Sequence, residues 1–239
     1  MGRLAPRAPV AEVVRVDFTH PEPTRLSALP PLGDDVLREM STLRVHLEAA
    51  LSERAPRTVM LVSAQGGEGT TTVAAQLAAT LAHDVSIRVL LVDAHGRRPA
   101  LSARIASAPA VRPLSGAATG PATTAQDAGP AGRLRVLPLP KELRGPTGIA
   151  PQTLRQMLEP VERAFDWIIV DGPPVLGSPD SAALAGAVDG VVVVVQAGRT
   201  KRPVLARSIE LLRKAGARVL GTVLNRRRLE IPGFIYRRI

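Results

Sequence analysis

Five short, almost wholly apolar runs constrain this chain more than any other feature. They are Val59-Met60-Leu61-Val62, Val89-Leu90-Leu91-Val92, Trp167-Ile168-Ile169-Val170, Val191 to Val195, and Val219 to Leu224. Runs this uniform suit strands buried on both faces. Helical patterns recur between them, over roughly 71–82, 153–165 and 204–215. Strands alternating with helices predict βαβ units, hence an α/β fold with a doubly wound, mostly parallel sheet. Right-handed crossovers then bring the C-terminal ends of the strands to one edge, where ligands bind in such sheets. Aromatic residues make up only 2% of the chain, so the core must come from Val, Leu, Ile and Ala.

The flanks read differently. Residues 1–33 are Pro-rich and unpatterned, and are expected to be a disordered extension, with at most a short strand around Val13, Val14 and Val16. Asp34-Asp35 opens a helix through Leu51, because Val36, Leu37, Met40, Leu43, Leu47 and Leu51 recur at helical spacing behind an acidic first turn. The folded domain is expected over 34–225. Within it, residues 103–132 are Ala, Gly, Pro, Thr and Ser with few bulky side chains, and read as a flexible loop with at most one weak helix. Arg133 to Leu137 reads as a short strand, and 226–239 as a basic tail.

Several function classes drop out on composition. With no cysteine, the chain has no disulfide, thiolate metal site or thiol nucleophile. The formal charge of +10 suits an anionic partner, although scattered arginines are equally well explained as solvated surface. Basic residues are not interleaved with aromatics, so no nucleic-acid partner is expected. No secretory signal is visible, and the most apolar run, Val191 to Val195, is far too short to span a bilayer. Any work at a membrane would therefore be done on its surface or through an embedded partner.

The chemistry concentrates in Ser63-Ala64-Gln65-Gly66-Gly67-Glu68-Gly69-Thr70-Thr71-Thr72, between a strand and a helix. Glycines there let backbone N–H groups turn inward around a phosphate, and the helix N-terminus adds positive partial charge. Gly66, Gly67, Glu68, Gly69, Thr70, Thr71 and Thr72 are thus candidates for binding ATP, with Thr71 where a P-loop keeps its Mg2+-ligating hydroxyl. The lysine expected at position 70 is Thr70, and the early lysine of the MinD/ParA signature is Gln65. Without the lysine, a ligand-free Gly-rich turn stands as the alternative. Asp93 and Asp171 each end an apolar strand, as carboxylates that hold Mg2+ beside a P-loop do. Each would otherwise simply cap a turn.

Together these motifs resemble the bacterial tyrosine kinases, the cytosolic kinase domains of capsule and exopolysaccharide co-polymerases, within the MinD/ParA class. The likeness covers about residues 36 to 225. It rests on Ser63 to Thr72, on Asp93-Ala94-His95-Gly96-Arg97-Arg98-Pro99, on Ile168 to Pro174 continuing to Asp180, on Asp189 to Val195, and on Val219 to Asn225. The resemblance implies a P-loop NTPase fold, Mg-ATP held by Thr71, Asp93 and Asp171, and Asp93 as the group that activates a tyrosine hydroxyl. It also implies a transmembrane polysaccharide co-polymerase partner, here a separate polypeptide, and a cytoplasmic protein held at the inner face of the membrane. Ring-forming homo-oligomers are implied in turn, but only Leu43, Arg44 and Leu47 fit the family's oligomerisation helix. Glu39 is one place off, and Ser41 replaces an Arg.

Three departures shape the expected function. The lysine is gone, His95 replaces the second Asp of the family's Asp-x-Asp, and the tyrosine cluster is reduced to Tyr236, a possible phosphosite. The expectation is a kinase-derived regulatory protein with weak or absent catalysis. One alternative is an active tyrosine autokinase in which substitute arginines supply the lost charge; Arg97 and Arg98 could reach phosphate oxygens, or pair with carboxylates in a turn. A MinD/ParA-like positioning ATPase is a further alternative. His95 itself reads first as a solvated loop histidine, with a catalytic base or metal ligand as the sharper option. Asp180 reads as a helix cap. The tail suits an anionic-membrane contact, docking on a partner, or simple disorder.

Overall fold

The computed structural model describes residues 32–51, 55–95, 101, 111–113, 124–127, 133–139, 149–159 and 162–226. Arg97, Arg98 and Tyr236, like the extension before residue 32 and most of the basic tail, lie outside these residues. The first helix, α1 (Asp34–Ala50), buries Val36, Met40, Leu43 and Leu47, the stripe its spacing predicts. Strand β1 (Arg57–Ser63) leads through the Gly-rich turn into α2 (Thr70–His83), and β2 (Val89–Asp93) follows. Arg44 on α1 pairs with Glu48 at 2.8 Å and reaches Asp84, just after α2, at 3.4 Å. In this chain Leu43, Arg44 and Leu47 thus pack α1 onto its own domain.

Beyond β2 come β3 (Val111–Pro113), β4 (Thr124–Asp127), β5 (Leu134–Pro138), α3 (Pro151–Leu158) and β6 (Trp167–Asp171). The chain closes with α4 (Pro179–Ala185), β7 (Gly190–Gln196), α5 (Arg202–Lys214) and β8 (Val219–Asn225). The sheet order is β3-β4-β5-β2-β6-β1-β7-β8. Every pairing from β5 to β8 is parallel, whereas β3 with β4 and β4 with β5 are antiparallel. The sheet is α/β and doubly wound, as the alternation requires.

Parallel strands buried on both faces need two cores, and two are present. Val59, Leu61, Leu91, Ile169 and Val194 point toward α1 and α2. Their sequence neighbours Met60, Val62, Leu90, Ile168 and Val193 point toward α3, α4 and α5. This period-2 split explains why the strands show no polar face in sequence.

Two expectations about local structure change. Within 103–132, the described residues form strands at 111–113 and 124–127 where a loop was expected. Backbone pairing of Gln126 with Val136 and Asp127 with Arg135 covers an edge of β5 that would otherwise be open, a gain that side-chain pattern does not display. The helix expected over 153–165 is α3 followed by a separate 3-10 turn, Glu162–Ala164. Pro160 has no N–H with which to continue the α-helical ladder.

Candidate functional site

Beside the edge strands, the order β2-β6-β1 sets the site. It puts Asp93 and Asp171 in register on adjacent strands, and Asp171 in register with Leu61 on β1, two residues before the Gly-rich loop begins. The loop itself has a fixed shape. Gly67 and Gly69 adopt φ of 85° and 95°, conformations that L side chains rarely take. Gly69 is the N-cap of α2, and a Cβ there would collide with the Asn225 amide.

Glu68 braces this shape from inside. It is fully buried; one carboxylate oxygen accepts the Gln65 N–H at 2.9 Å, and the other accepts the Thr200 hydroxyl. From β8, the Asn225 amide donates to the Glu68 carbonyl at 2.9 Å, and the Arg226 guanidinium donates to the Gly67 carbonyl at 3.2 Å. Of the predicted phosphate-binding residues, Gly66 and Gly67 lie exposed at the loop crest, and Thr70 is buried at the start of α2. Thr71 is half-buried with its hydroxyl beside Asp171, and Thr72 is exposed. The Glu68 side chain contributes architecture, leaving its backbone for any ligand.

The two carboxylates differ in how they are satisfied. Asp93 is buried, accepting the His95 N–H on one oxygen and the Leu101 N–H on the other, each at 3.1 Å. Asp171 is fully buried, yet neither of its oxygens has a partner in hydrogen-bonding geometry. Burial pushes its carboxyl above the ordinary aspartate range; Asp93 acts the same way, and His95 and Thr71 pull against it. An orphaned carboxylate in the interior is costly, and a cation would satisfy it. The donor chemistry at this edge therefore fits a divalent ion: one ligand atom from each of Asp93, His95 and Asp171 lies within 4.8 Å of the other two.

His95 corrects the expectation of a solvated loop residue. Its side chain is 22% exposed, and Nδ1 lies 3.4 Å from an Asp171 oxygen without forming a hydrogen bond. Burial works to lower its pKa, but Asp171 and, more weakly, Asp93 overcome that and hold the imidazole above its usual value. The backbone reason is the turn after β2: the His95 N–H is captured by Asp93, which folds the side chain back toward β6. Asp180 is corrected too. Ser178 caps α4 by accepting the Asp180 N–H, and the buried Asp180 carboxylate accepts the Ile149 N–H at 3.1 Å. It ties the segment before α3 to α4.

Two arginines at the loop escape sequence reasoning. Arg199, in the turn after β7, lies so close over Gly67 that a Cβ there would stand 3.2 Å from its Nη1. Arg226 follows β8 and holds the Gly67 carbonyl. The available signal was position: both follow parallel strands at the ligand edge, Arg199 after the strand beside the one that feeds the loop and Arg226 after the next strand out.

A helix N-terminus behind a glycine loop, faced by acidic strand ends on neighbouring parallel strands, places the protein in the P-loop class. No family model matches the chain. It is 31% identical over 189 residues to the tyrosine-protein kinase CpsD of Streptococcus agalactiae, covering 78% of this chain and 81% of that protein. It is 30% identical over 177 residues to the succinoglycan biosynthesis transport protein ExoP of Rhizobium meliloti, covering 71% of this chain and 22% of that protein. The solved tyrosine kinase domain of BceF superposes with a TM-score of 0.64 at 26% identity, over 84% of this chain and 81% of that one. The chain belongs to the bacterial tyrosine kinase family.

Proposed function

We propose that this protein is a regulatory, kinase-derived member of its family that binds Mg-ATP weakly and transfers phosphate poorly or not at all. The observation that carries the reading is Asp171: fully buried, without a partner in hydrogen-bonding geometry, and set beside Thr71 at the mouth of the loop. Its cost to the fold is explained if it serves a cation that bridges to nucleotide phosphates. Thr71, Asp93 and Asp171 would hold Mg2+, which neutralises phosphate charge when bound. The backbone from Gly66 to Thr72 would hold the phosphates.

Weak catalysis follows from what is missing. Loss of one preorganised donor at a transferring phosphoryl group typically costs about a hundred- to a thousand-fold in rate. A second reading, an active autokinase using substitute arginines, is favoured by Arg199 and Arg226 at the Gly67 turn. Their guanidinium groups add positive charge where phosphate would approach.

The names of the relatives, a tyrosine-protein kinase and a succinoglycan biosynthesis transport protein, support a place in polysaccharide synthesis and export. No described helix is long and apolar enough to cross a membrane. The partner in this reading is a transmembrane co-polymerase subunit that recruits the protein to the inner face of the membrane, alone or as a homo-oligomer. Calorimetric titration with ATP, with and without Mg2+, tests the core of the proposal. Magnesium-dependent binding that Asp171→Asn abolishes is the expected result. No heat of binding up to about millimolar ATP, equivalent to a binding free energy weaker than about −4 kcal/mol, would refute it.

A further inference from the structure

We propose that Asp93, His95 and Asp171 form a binding site for a borderline divalent transition metal of the Zn2+ type, loaded without nucleotide and preferred over Mg2+. The proposal rests on the cation half of the function proposed above and does not need the nucleotide half.

The geometry carries the argument. One ligand atom from each of the three residues lies within 4.8 Å of the other two. A triangle no wider than 4.8 Å fits inside a circle of about 2.8 Å radius, so modest closure brings all three atoms to the roughly 2.0–2.2 Å of Zn2+ bonds to nitrogen and carboxylate oxygen. Ligand atoms about 2.1 Å from a tetrahedral centre stand about 3.4 Å apart. The His95 Nδ1 to Asp171 Oδ2 separation is 3.4 Å.

Hydrogen bonding gives the same answer independently. His95 Nδ1 and both Asp171 oxygens are buried polar atoms without a hydrogen-bond partner, and Asp171 is fully buried. Asp93 has a donor on each oxygen from the backbones of His95 and Leu101, which fixes its orientation. A carboxylate has about four lone-pair sites, so Asp93 retains capacity for a metal. The unsatisfied His95 Nδ1 and Asp171 oxygens thus face an oriented Asp93 carboxylate across a few ångströms.

The ligand types set the selectivity. An all-oxygen edge suits Mg2+, which prefers near-octahedral oxygen ligands and keeps several waters. A neutral imidazole among the ligands shifts preference toward Zn2+, Co2+ or Ni2+. Two carboxylates and one imidazole leave one position open for water or a ligand oxygen, the stoichiometry of open zinc sites. His95 is thus the residue that redirects an otherwise magnesium-like edge.

The test uses the whole chain, stripped with a chelator and titrated with Co2+. The expected results are visible absorption bands of low-coordinate Co2+, their displacement by one equivalent of Zn2+, and their persistence in a large excess of Mg2+. His95→Ala is expected to weaken Zn2+ binding by about a hundredfold or more, against a His46→Ala control on the exposed face of α1 that binds as the parent does. Displacement of Co2+ by comparable Mg2+, or full Zn2+ affinity in His95→Ala, would overturn the inference. Nitrogen-15 NMR of the unmodified protein keeps the question decidable if that variant misfolds: the His95 Nδ1 resonance should shift on Zn2+ addition, and an unshifted resonance also overturns it. ATP calorimetry in Mg2+ alone is run separately, so failure of nucleotide binding leaves the Zn2+ result standing, and the reverse.

Discussion

Gly69→Ala tests whether the phosphate loop is held in shape by β8. Gly69 sits at φ 95°, and a side chain there would run into the Asn225 amide. A non-glycine residue in the left-handed region costs about 1–2 kcal/mol. Asn225 must also move, which breaks its hydrogen bond to the Glu68 carbonyl, a net loss of about 0.5–1.5 kcal/mol. The expected destabilisation is the sum, about 1.5–3.5 kcal/mol, read by urea denaturation as a lower midpoint at unchanged slope. The double-mutant cycle with Asn225→Ala sharpens the test. Once the amide is gone there is nothing to strike and no bond to lose, so Gly69→Ala should then cost only its conformational part, about 1–2 kcal/mol. A cost below about 0.5 kcal/mol in the parent, or the same cost in both backgrounds, would refute the brace.

Three further outcomes follow from the same geometry. Thr70→Lys, which restores the missing cation at the start of α2, should raise ATP turnover or autophosphorylation by about a hundredfold or more; an unchanged rate means that the lysine is not what limits the site. Arg199→Ala should weaken ATP binding by about tenfold, the low end for a charge-assisted contact because the residue is exposed, and the loss should shrink at high salt; equal affinity with and without Arg199 removes it from the site. The metal-free fold should lose stability as pH rises from about 6 to 8, because His95 is held above its unfolded value of about 6.5 and Asp171 above its own of about 3.9. A folded state that binds more protons than the unfolded chain is destabilised by rising pH, and Asp84, Glu210 and Arg44 are shifted away from this window. Denaturation midpoints in chelator that climb between those pH values would contradict the assignment.

The parallel strands were legible because burial on both faces writes them as unbroken apolar runs, and the loop because its glycines are needed for backbone geometry. Asp93 and Asp171 were legible as acids ending such runs. What the residues did not disclose is contact across distant segments. Nothing local marks Thr200, Asn225 and Arg226 as the partners of a loop well over a hundred residues earlier. The β3–β4 pair was hidden because its stability comes from covering the edge of β5, and its own residues carry no strand pattern. His95 was misjudged because a lone histidine after a strand is usually solvated, while here the Asp93 carboxylate captures its N–H and turns it inward.

The substitutions at this edge are better understood together than singly. An ordinary P-loop places a mobile cation, lysine, over the phosphates and leaves an all-oxygen set for magnesium. Here position 70 is a buried neutral threonine, and among the described residues positive charge reaches the loop from Arg199 and Arg226 on the turns after β7 and β8. One of those arginines is tied to the loop's own carbonyl, so it cannot follow a phosphoryl group as a lysine does without breaking that bond. Meanwhile the metal side gains an imidazole against a carboxylate whose oxygens have no partner in hydrogen-bonding geometry. A site with fixed peripheral charge and a nitrogen-containing metal set is built to hold an anion or a cation in place. It is poorly built to move with a transition state, which favours a nucleotide- or metal-responsive regulator over a kinase with repaired chemistry.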